Sequence, residues 1–352
     1  MDKRIVFTKV NTAELLDVPE LEMNDYAIKV KTAISTISQG TERANITGDT
    51  NVYIEKEVAE AVFPRYSGYS SSGIVVEKGK NVKDFEIGDR VAMSWSSHRG
   101  YNVLSSQNLV KIESEKVSLE EASIFHIATF PLAAIRKTRL EIGESLMVMG
   151  LGILGLLGVQ LAKLAGAAPV IAVDPNPERR ELAMKLGADY SFDPYRENFA
   201  NEVKRITDGG VNIAVEVTGR GEALNQVLDC MARFGRVSLL GCTRDSDFTV
   251  DYYRKIHFPG ITLVGAHTNA RPQNESRPGF HTEMDDLRRI LKILASGRLN
   301  FKAMISECHS PKECEEVFSR LAFDKNFPIG VQFDWSLLDE LENQNSSLRS
   351  GA

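Results

Sequence analysis

One stretch, Ser145–Asp174, constrains the fold of this chain more than any other part. A short apolar run is followed at once by Gly150, Gly152 and Gly155 in the spacing G-x-G-x-x-G, and then by a helix-like apolar segment. A second apolar run ends at Asp174. A strand, a glycine turn, a helix and a second strand that ends in an acid make up a dinucleotide-binding βαβ unit. The stretch therefore predicts a Rossmann-type parallel sheet with a nucleotide site at its first turn.

The same stretch indicates which nucleotide is bound. A glycine without a Cβ lets the backbone approach a pyrophosphate, and the helix N-terminus offers N–H groups and partial positive charge to it. Asp174 stands where a carboxylate accepts both adenosine ribose hydroxyls and repels a 2′-phosphate, which favours NAD(H) over NADP(H). Arg179 and Arg180 follow shortly afterwards. These two cations leave NADP(H) open as an alternative.

The rest of the chain shows two kinds of pattern. Residues 1–110 hold short Val- and Ile-rich runs separated by turn residues, which favours a small β-barrel. From Ser118 onward, strand-like runs alternate with helical segments, as in a doubly wound parallel sheet. A last strand-like run, Phe327–Asp334, is expected to return to the first domain. We therefore predict an α/β protein with a barrel domain at 1–118 and 269–352 and a dinucleotide-binding domain at 119–268.

Composition excludes several kinds of partner. The 352-residue chain has a net charge of −6, which argues against nucleic acid and against an anionic membrane surface. Its apolar runs are too short to span a bilayer, and its N-terminus lacks the apolar core of a signal peptide. Four cysteines without a CxxC pair fit a reduced, cytoplasmic setting. A small molecule is therefore the expected substrate.

Taken together, these motifs give the chain a resemblance to medium-chain dehydrogenases/reductases, the superfamily of zinc-type alcohol dehydrogenases and quinone reductases. The resemblance covers roughly Ile5 to Phe333 and is carried by Gly73–Glu77, Ile87–Val91, Asn108–Ile112, Val148–Gly155, Lys185–Asp189, Val217–Gly219 and Gly235–Val237. It implies a GroES-like barrel for the substrate and a Rossmann domain for the cofactor. With the fingerprint above, it implies cofactor contacts at Thr129, Gly150, Gly152, Ile153, Leu154, Gly155, Asp174, Arg179, Thr218, Leu240, Gly241 and Gly265.

The chain departs from this resemblance where zinc members of the family bind metal. Ser38 stands at the position of a Cys ligand, and Gly68–Ser70 reads Gly-Tyr-Ser in place of Gly-His-Glu. A third ligand would fall near Phe125 or His126, and the family's four-Cys lobe would lie in the Cys-free interval between Val91 and Asn108. Neutral hydroxyls are poor zinc ligands. We therefore expect neither zinc site. The I-S-x-G-T-E and G-Y motifs also resemble a subgroup around bacteriochlorophyllide a dehydrogenase.

Another group must then handle the proton if the chain is an enzyme. Tyr69 and Ser38 map to the vacated metal position and are the first candidates, because a Tyr hydroxyl donates to a developing alkoxide and a Ser relays a proton. The alternative is that both side chains only fill the space that zinc would occupy. His126 is the third candidate, and the alternative for it is a core histidine on an apolar helix.

Two classes of function follow from these patterns. The first is a zinc-independent oxidoreductase that moves a hydride between NAD(H) and an alcohol/carbonyl or an activated alkene. The second is a nucleotide-binding sensor or scaffold without turnover. The intact cofactor fingerprint supports both classes equally.

The sixth strand-like run, Ile261–Val264, carries no charge. At the edge of an open sheet such a strand exposes unpaired N–H and C=O groups that invite pairing. The resemblance implies the same edge-to-edge contact, so we expect a homodimer or homotetramer. The alternative is that a loop such as Asn269–Gly279 covers the edge.

Overall fold

The computed structural model describes residues 1–52 and 59–338. Contacts between Cα atoms divide the chain into two compact units. Unit 1 holds Met1–Ile127, Leu291–Ala295 and the residues from Phe301 onward, and unit 2 holds Ala128–Ile290 and Ser296–Asn300. The sequence placed the corresponding limits at 118/119 and 268/269. The polar tail 342–352, for which the sequence predicts disorder, lies outside the described residues.

Unit 1 is mainly β, as its Val- and Ile-rich runs predict. Its first strands are β1 (Asp2–Lys9), β2 (Thr12–Val18), β3 (Ala27–Thr36), β4 (Arg65–Tyr66), β5 (Ser70–Lys78), β6 (Arg90–Ser94), β7 (Tyr101–Ser105) and β8 (Leu109–Lys111). The sequence did not predict β2, because Ala13 is its one buried residue and no alternating pattern results.

Helices α1 (Gln39–Ile46) and α2 (Leu119–Ala122) belong to the same unit. The S-x-x-E spacing of Ser118 and Glu121 predicts a capping box at the start of α2. It is confirmed, because the Ser118 hydroxyl accepts from the Glu121 N–H and the Glu121 carboxylate accepts from the Ser118 N–H. The sequence predicts a loop over residues 43–63, so the part of α1 from Arg43 onward was not predicted. Helix α3 (Phe125–Lys137) follows. The sequence predicts a helical stretch at Ala122–Ile135 with a break or kink at Pro131, but the helix continues through Pro131 without a break.

Unit 2 is a doubly wound parallel sheet, which confirms the predicted fold class. Its elements are β9 (Leu146–Met149), α4 (Ile153–Leu164), β10 (Val170–Val173), α5 (Pro177–Lys185), β11 (Tyr190–Phe192), α6 (Phe199–Ile206), β12 (Val211–Glu216), α7 (Gly221–Cys230), β13 (Met231–Leu239) and β14 (Thr262–Gly265). The strand order is β11-β10-β9-β12-β13-β14, and every pairing is parallel. This order reverses between β9 and β12, which is where such sheets bind nucleotides.

The remaining elements are α8 (Glu283–Ala295), β15 (Glu307–His309), α9 (Cys314–Phe323) and β16 (Val331–Asp334). Strand β16 pairs antiparallel with β3, so the chain returns to unit 1 as predicted. The larger sheet of unit 1 has the order β15-β16-β3-β5-β6-β8, with β7 also paired to β3, and a smaller sheet has the order β2-β1-β4. Across residues 1–52 and 59–338, no helix has the length and apolarity needed to cross a membrane.

Candidate active site

The three predicted catalytic residues lie together in unit 1. The Tyr69 hydroxyl donates a hydrogen bond directly to the Ser38 hydroxyl oxygen. The rings of Tyr69 and His126 meet edge to face with centroids 5.3 Å apart. Trp95 completes the group, because its ring lies 4.7 Å from His126 and 6.0 Å from Tyr69, centroid to centroid.

Ser38 occupies the N-cap position of α1, where a serine hydroxyl ordinarily accepts from the backbone of the first helical turn. Here the side chain makes no such capping bond. Its oxygen accepts from Tyr69 instead. Giving up an N-cap bond costs about 1 kcal/mol of helix stability. The Ser38 side chain is therefore hydrogen-bonded to Tyr69 and does not cap its own helix.

The backbone of Tyr69 is held from two sides. Its carbonyl oxygen accepts from the Trp95 N–H at 2.8 Å and from Nδ1 of His126 at 2.7 Å. Because a carbonyl oxygen can only accept, Nδ1 of His126 carries the hydrogen, and a neutral imidazole then has its basic lone pair on Nε2. Trp95 adopts a left-handed backbone with φ of 56°, which is strained for a bulky residue and is a feature of functional sites.

The polar groups of the Tyr69–Ser38 pair are neutral hydroxyls, which are poor zinc ligands. They are hydrogen-bonded to each other. Among the residues that the structure describes, no three His, Cys, Asp or Glu side chains form a group that could hold a metal ion.

The glycine turn in unit 2 has the geometry that a dinucleotide requires. Gly150 has φ of +96°, and a Cβ at this position would lie 2.8 Å from Cγ2 of Thr218. A Cβ on Gly155 would overlap the Gly150 carbonyl oxygen, whereas a Cβ on Gly152 would meet nothing within 4 Å. Gly152 is the N-cap of α4 and provides no side-chain cap. The first turn of α4, which begins Ile153-Leu154, therefore has open space and uncapped N–H groups at its start, as a pyrophosphate site needs.

Asp174 follows β10 directly and is 5% exposed. Its Oδ2 accepts from the Leu151 N–H and its Oδ1 accepts from the Asn176 N–H, both at 2.8 Å. These bonds tie the carboxylate to the glycine turn and fix its orientation. Asn176 also caps α5 and accepts from the Arg179 N–H at 3.1 Å, while the Arg180 guanidinium donates to the Asp174 carbonyl at 2.7 Å.

The predicted cofactor residues after β12 and β13 are organised by Glu216, which the sequence analysis did not single out. Its carboxylate accepts from the N–H and the hydroxyl of Thr218 and from the Gly219 N–H. Its backbone carbonyl accepts from Leu240 N and Gly241 N, each at 2.9 Å. Burial raises the pKa of Glu216, and its hydrogen bonds oppose that rise.

The last two predicted cofactor residues in unit 2 lie against basic side chains. The Lys137 ammonium donates to the Gly265 carbonyl at 3.1 Å, and the Arg271 guanidinium donates to the Thr129 hydroxyl at 3.4 Å. Burial lowers the pKa of Lys137, and the neighbouring Arg271 lowers it further. The carboxyl ends of β9, β10, β12, β13 and β14 thus lie along one edge of the parallel sheet, together with the predicted cofactor residues that directly follow these strands.

Sequence reasoning missed two buried residues beneath the unit 1 group, Glu42 and His98. They are hydrogen-bonded to each other, with Nε2 of His98 lying 2.9 Å from Oε2 of Glu42. Glu42 belongs to the I-S-x-G-T-E motif, so a charged residue beside Ser38 was a usable signal. His98 carries no motif, and a partner 56 residues away leaves no trace in local sequence.

Comparison with known proteins agrees with the fold. The alcohol dehydrogenase GroES-like domain matches residues 32–119, and the zinc-binding dehydrogenase family matches residues 154–282. The chain is 32% identical to L-threonine 3-dehydrogenase of Pyrococcus horikoshii over 89% of this chain and 93% of that protein. It is 25% identical to sorbitol dehydrogenase of Bacillus subtilis over 89% of this chain and 91% of that protein. Benzyl alcohol dehydrogenase of Acinetobacter calcoaceticus shares the fold with a TM-score of 0.80, at 20% identity over 95% and 99% of the two chains.

A GroES-like unit and a Rossmann unit with a complete dinucleotide turn define an oxidoreductase that uses a nicotinamide cofactor. The chain belongs to the zinc-type alcohol dehydrogenase-like family of medium-chain dehydrogenases/reductases. Within that family it is an NAD(P)-dependent dehydrogenase/reductase.

Proposed function

We propose that this chain is a zinc-independent, NAD(H)-dependent dehydrogenase that interconverts an alcohol and a carbonyl compound, with Tyr69 as the group that exchanges the proton. The observation that carries the proposal is the hydrogen bond from Tyr69 to Ser38 at the position where zinc members bind metal. Two hydroxyls in direct contact leave a proton donor in place of a Lewis acid.

When bound, the nicotinamide supplies the hydride exchange, and the residues of this chain handle the proton. In carbonyl reduction, Tyr69 donates its hydroxyl proton to the substrate oxygen as negative charge develops there. The Ser38 hydroxyl can then rotate to donate to the phenolate. His126 and Trp95 hold the Tyr69 backbone, so the phenol keeps one orientation throughout. In alcohol oxidation the same groups act in reverse.

The preference for NAD(H) is proposed on the carboxylate of Asp174, which would accept ribose hydroxyls and repel a 2′-phosphate. The Arg180 guanidinium donates hydrogen bonds to the carbonyl oxygens of Asp174 and Pro175, at 2.7 and 2.9 Å. These bonds compete with any contact between Arg180 and a 2′-phosphate. We also propose a reduced, cytoplasmic setting, which the four free cysteines support.

The proposed reaction is tested with purified protein and a panel of L-threonine, sorbitol and benzyl alcohol, each with NAD⁺ and with NADP⁺. Formation of reduced cofactor is followed by absorbance. We expect turnover of at least one alcohol, with a higher kcat/KM for NAD⁺ than for NADP⁺. A higher kcat/KM for NADP⁺ would contradict the cofactor assignment while leaving the reaction class intact.

Metal independence is tested by elemental analysis of the purified protein. Because the two side chains at the family's metal position are Ser38 and Tyr69, we expect far less than one equivalent of zinc, and no loss of activity after dialysis against a chelator. The L-threonine 3-dehydrogenase of Pyrococcus horikoshii, purified in parallel, is a suitable family reference. One tightly held equivalent of zinc per chain would refute metal independence.

We further propose that two chains pair through β14. Strand β14 lies at the edge of the unit 2 sheet, and Leu263 on it is 39% exposed. The Ala266 N–H donates inward to Leu239 of β13, and N–H groups alternate in direction along a strand, so the Leu263 N–H points away from β13. An outward donor on an uncharged edge strand can pair with the same strand of a second chain.

Light scattering tests this pairing. We expect at least twice the mass of one chain for the wild type, and a shift toward one chain for Leu263→Pro, which removes the outward donor. Leu263→Ala keeps the donor and is the matched control. A wild-type mass equal to one chain at micromolar concentration would rule out the proposed dimer.

A further inference from the structure

Beneath the Tyr69–Ser38 pair, unit 1 contains a fully buried polar network. Glu42 is 1% exposed, His98 is 0% exposed, and Ser35 and Trp335 are 1% and 3% exposed. His98 connects them, with Nε2 at 2.9 Å from Oε2 of Glu42 and Nδ1 at 2.7 Å from the Ser35 hydroxyl oxygen. The Trp335 indole N–H donates to the same hydroxyl oxygen at 2.9 Å.

The donors and acceptors in this network are mutually compatible when His98 is neutral with its hydrogen on Nε2. Trp335 can only donate, so the Ser35 oxygen accepts from it and the Ser35 hydroxyl hydrogen is available to Nδ1 of His98. Nε2 of a neutral His98 then carries its hydrogen and donates to Glu42. The other carboxylate oxygen of Glu42, Oε1, accepts from the Ser38 N–H at 2.9 Å. Every bond in the series is satisfied with a carboxylate at Glu42 and a neutral imidazole at His98.

The network ends at the backbone N–H of Ser38 and not at its hydroxyl. A backbone amide does not exchange its proton on the timescale of turnover, so these groups cannot act as a proton wire to Tyr69. What the bond can do is hold the Ser38 backbone in place. With that backbone held, the Ser38 side chain keeps its position against Tyr69 instead of capping α1.

The surroundings leave the network little room to move. The His98 ring meets Phe333 edge to face, with centroids 5.6 Å apart, and lies 6.1 Å from Phe318. A Cβ on Gly68, the residue before Tyr69, would overlap the His98 backbone nitrogen. Replacing both partners of a buried hydrogen bond by apolar groups of the same shape can leave stability nearly unchanged. The distinctive effect of the Glu42–His98 pair is therefore on geometry.

We infer that Glu42 and His98 are positioning residues that hold the Ser38 hydroxyl against Tyr69. The inference rests on the proposed role of Tyr69 as the proton-exchanging group. In this chain, a buried acid–imidazole pair of the protein's own side chains thus orders the segment that a zinc ion would order in zinc-binding relatives of the fold.

The test uses a signal that needs no substrate. Tyrosine labelled with ¹³C at Cζ reports on its hydroxyl by NMR, and Tyr69→Phe identifies the Tyr69 signal among the nine tyrosines. We expect Ser38→Ala to displace that signal, because it removes the hydrogen-bond acceptor. Glu42→Ala is expected to displace it in the same direction, and to add no further displacement in the Ser38→Ala background.

Two variants refine the test. Glu42→Gln is expected to restore the wild-type signal in large part, since its oxygen accepts from the Ser38 N–H and its amide donates to a His98 of the opposite tautomer. His98→Asn keeps the bond to Ser35 but removes the donor to Glu42, and it is expected to displace the signal even if Glu42→Ala does not fold. Asp2→Ala is the matched control, because Asp2 forms a buried ion pair with Arg99, at 2.7 Å, that includes neither Glu42 nor His98.

A folded Glu42→Ala or His98→Asn with an unchanged Tyr69 signal would overturn the inference. The inference would also be overturned if Glu42→Ala displaced the Tyr69 signal equally in the wild-type and Ser38→Ala backgrounds. Glu42 would then affect Tyr69 by a route that does not include the Ser38 hydroxyl. Failure of the proposed function has a different signature. In that case Tyr69→Phe keeps wild-type turnover, while the coupling between Glu42 and Ser38 still appears in the Tyr69 signal.

Discussion

Replacing Tyr69 by Phe is expected to lower kcat by a factor of about 10²–10⁴, the usual contribution of a positioned acid–base group. The Kd of NADH is expected to stay unchanged, because the variant alters neither the glycine turn nor Asp174. The measurement uses the panel alcohol with the highest kcat/KM and its carbonyl product. The reason for the loss is specific, since Phe keeps the ring contacts with His126 and Trp95 and removes only the hydroxyl.

Tyr66→Phe is the matched control, because Tyr66 lies three residues earlier and is 55% exposed. It removes one hydroxyl from the same segment and is expected to leave kcat within a factor of about two. Ser38→Ala should fall between the two, since water can substitute in part for the Ser38 hydroxyl. A Tyr69→Phe enzyme with wild-type kcat in both reaction directions would exclude Tyr69 as the proton-exchanging group.

Asp174→Ala is expected to weaken NADH binding by about 1.5–3 kcal/mol, the cost of a lost hydrogen bond to a charged group. This corresponds to roughly a 10- to 150-fold rise in Kd, measured by fluorescence titration. The discrimination against NADPH should fall as well, because the carboxylate that repels a 2′-phosphate is gone.

Asp174 also accepts from the Leu151 and Asn176 N–H groups, so its removal acts on the glycine turn as well as on the ribose. Asp174→Asn separates these effects, because its amide oxygen retains one acceptor while the charge is lost. Asp193→Ala, which removes the acid following the neighbouring strand β11, is the control and should leave the Kd unchanged. Unchanged NADH affinity in Asp174→Ala, or tighter binding of NADPH by the wild type, would contradict the assignment.

Local sequence was sufficient for most of unit 2. The limits of β9 and β10 agree to the residue with the apolar runs Leu146–Met149 and Val170–Val173. Strands buried on both faces give continuous apolar runs, and the glycine turn between them is dictated by backbone geometry, so both leave a local signature. The positions of the first strand of the sheet, the turn and the acid therefore follow from local sequence alone.

Local apolar patterns predicted fewer of the strands in unit 1. Its predicted strands are present, but β2 has one buried residue and β15 is three residues long, so neither forms a pattern. The beginning of β13 in unit 2, at Met231, was also missed, because Arg233 and Phe234 are exposed and interrupt its apolar run. Short or half-exposed strands are specified by their partners in the sheet and not by their own residues.

By itself, the sequence determined the class of this protein and its nucleotide turn, and it singled out Ser38 and Tyr69 as candidate residues. Those features are spacings and residue types, which a linear pattern records. The tertiary structure alone decided that Tyr69 donates to Ser38 and that Glu42 and His98 lie beneath them. Their contacts join residues 31 and 56 positions apart, and only the pairing of distant strands and loops brings such side chains together.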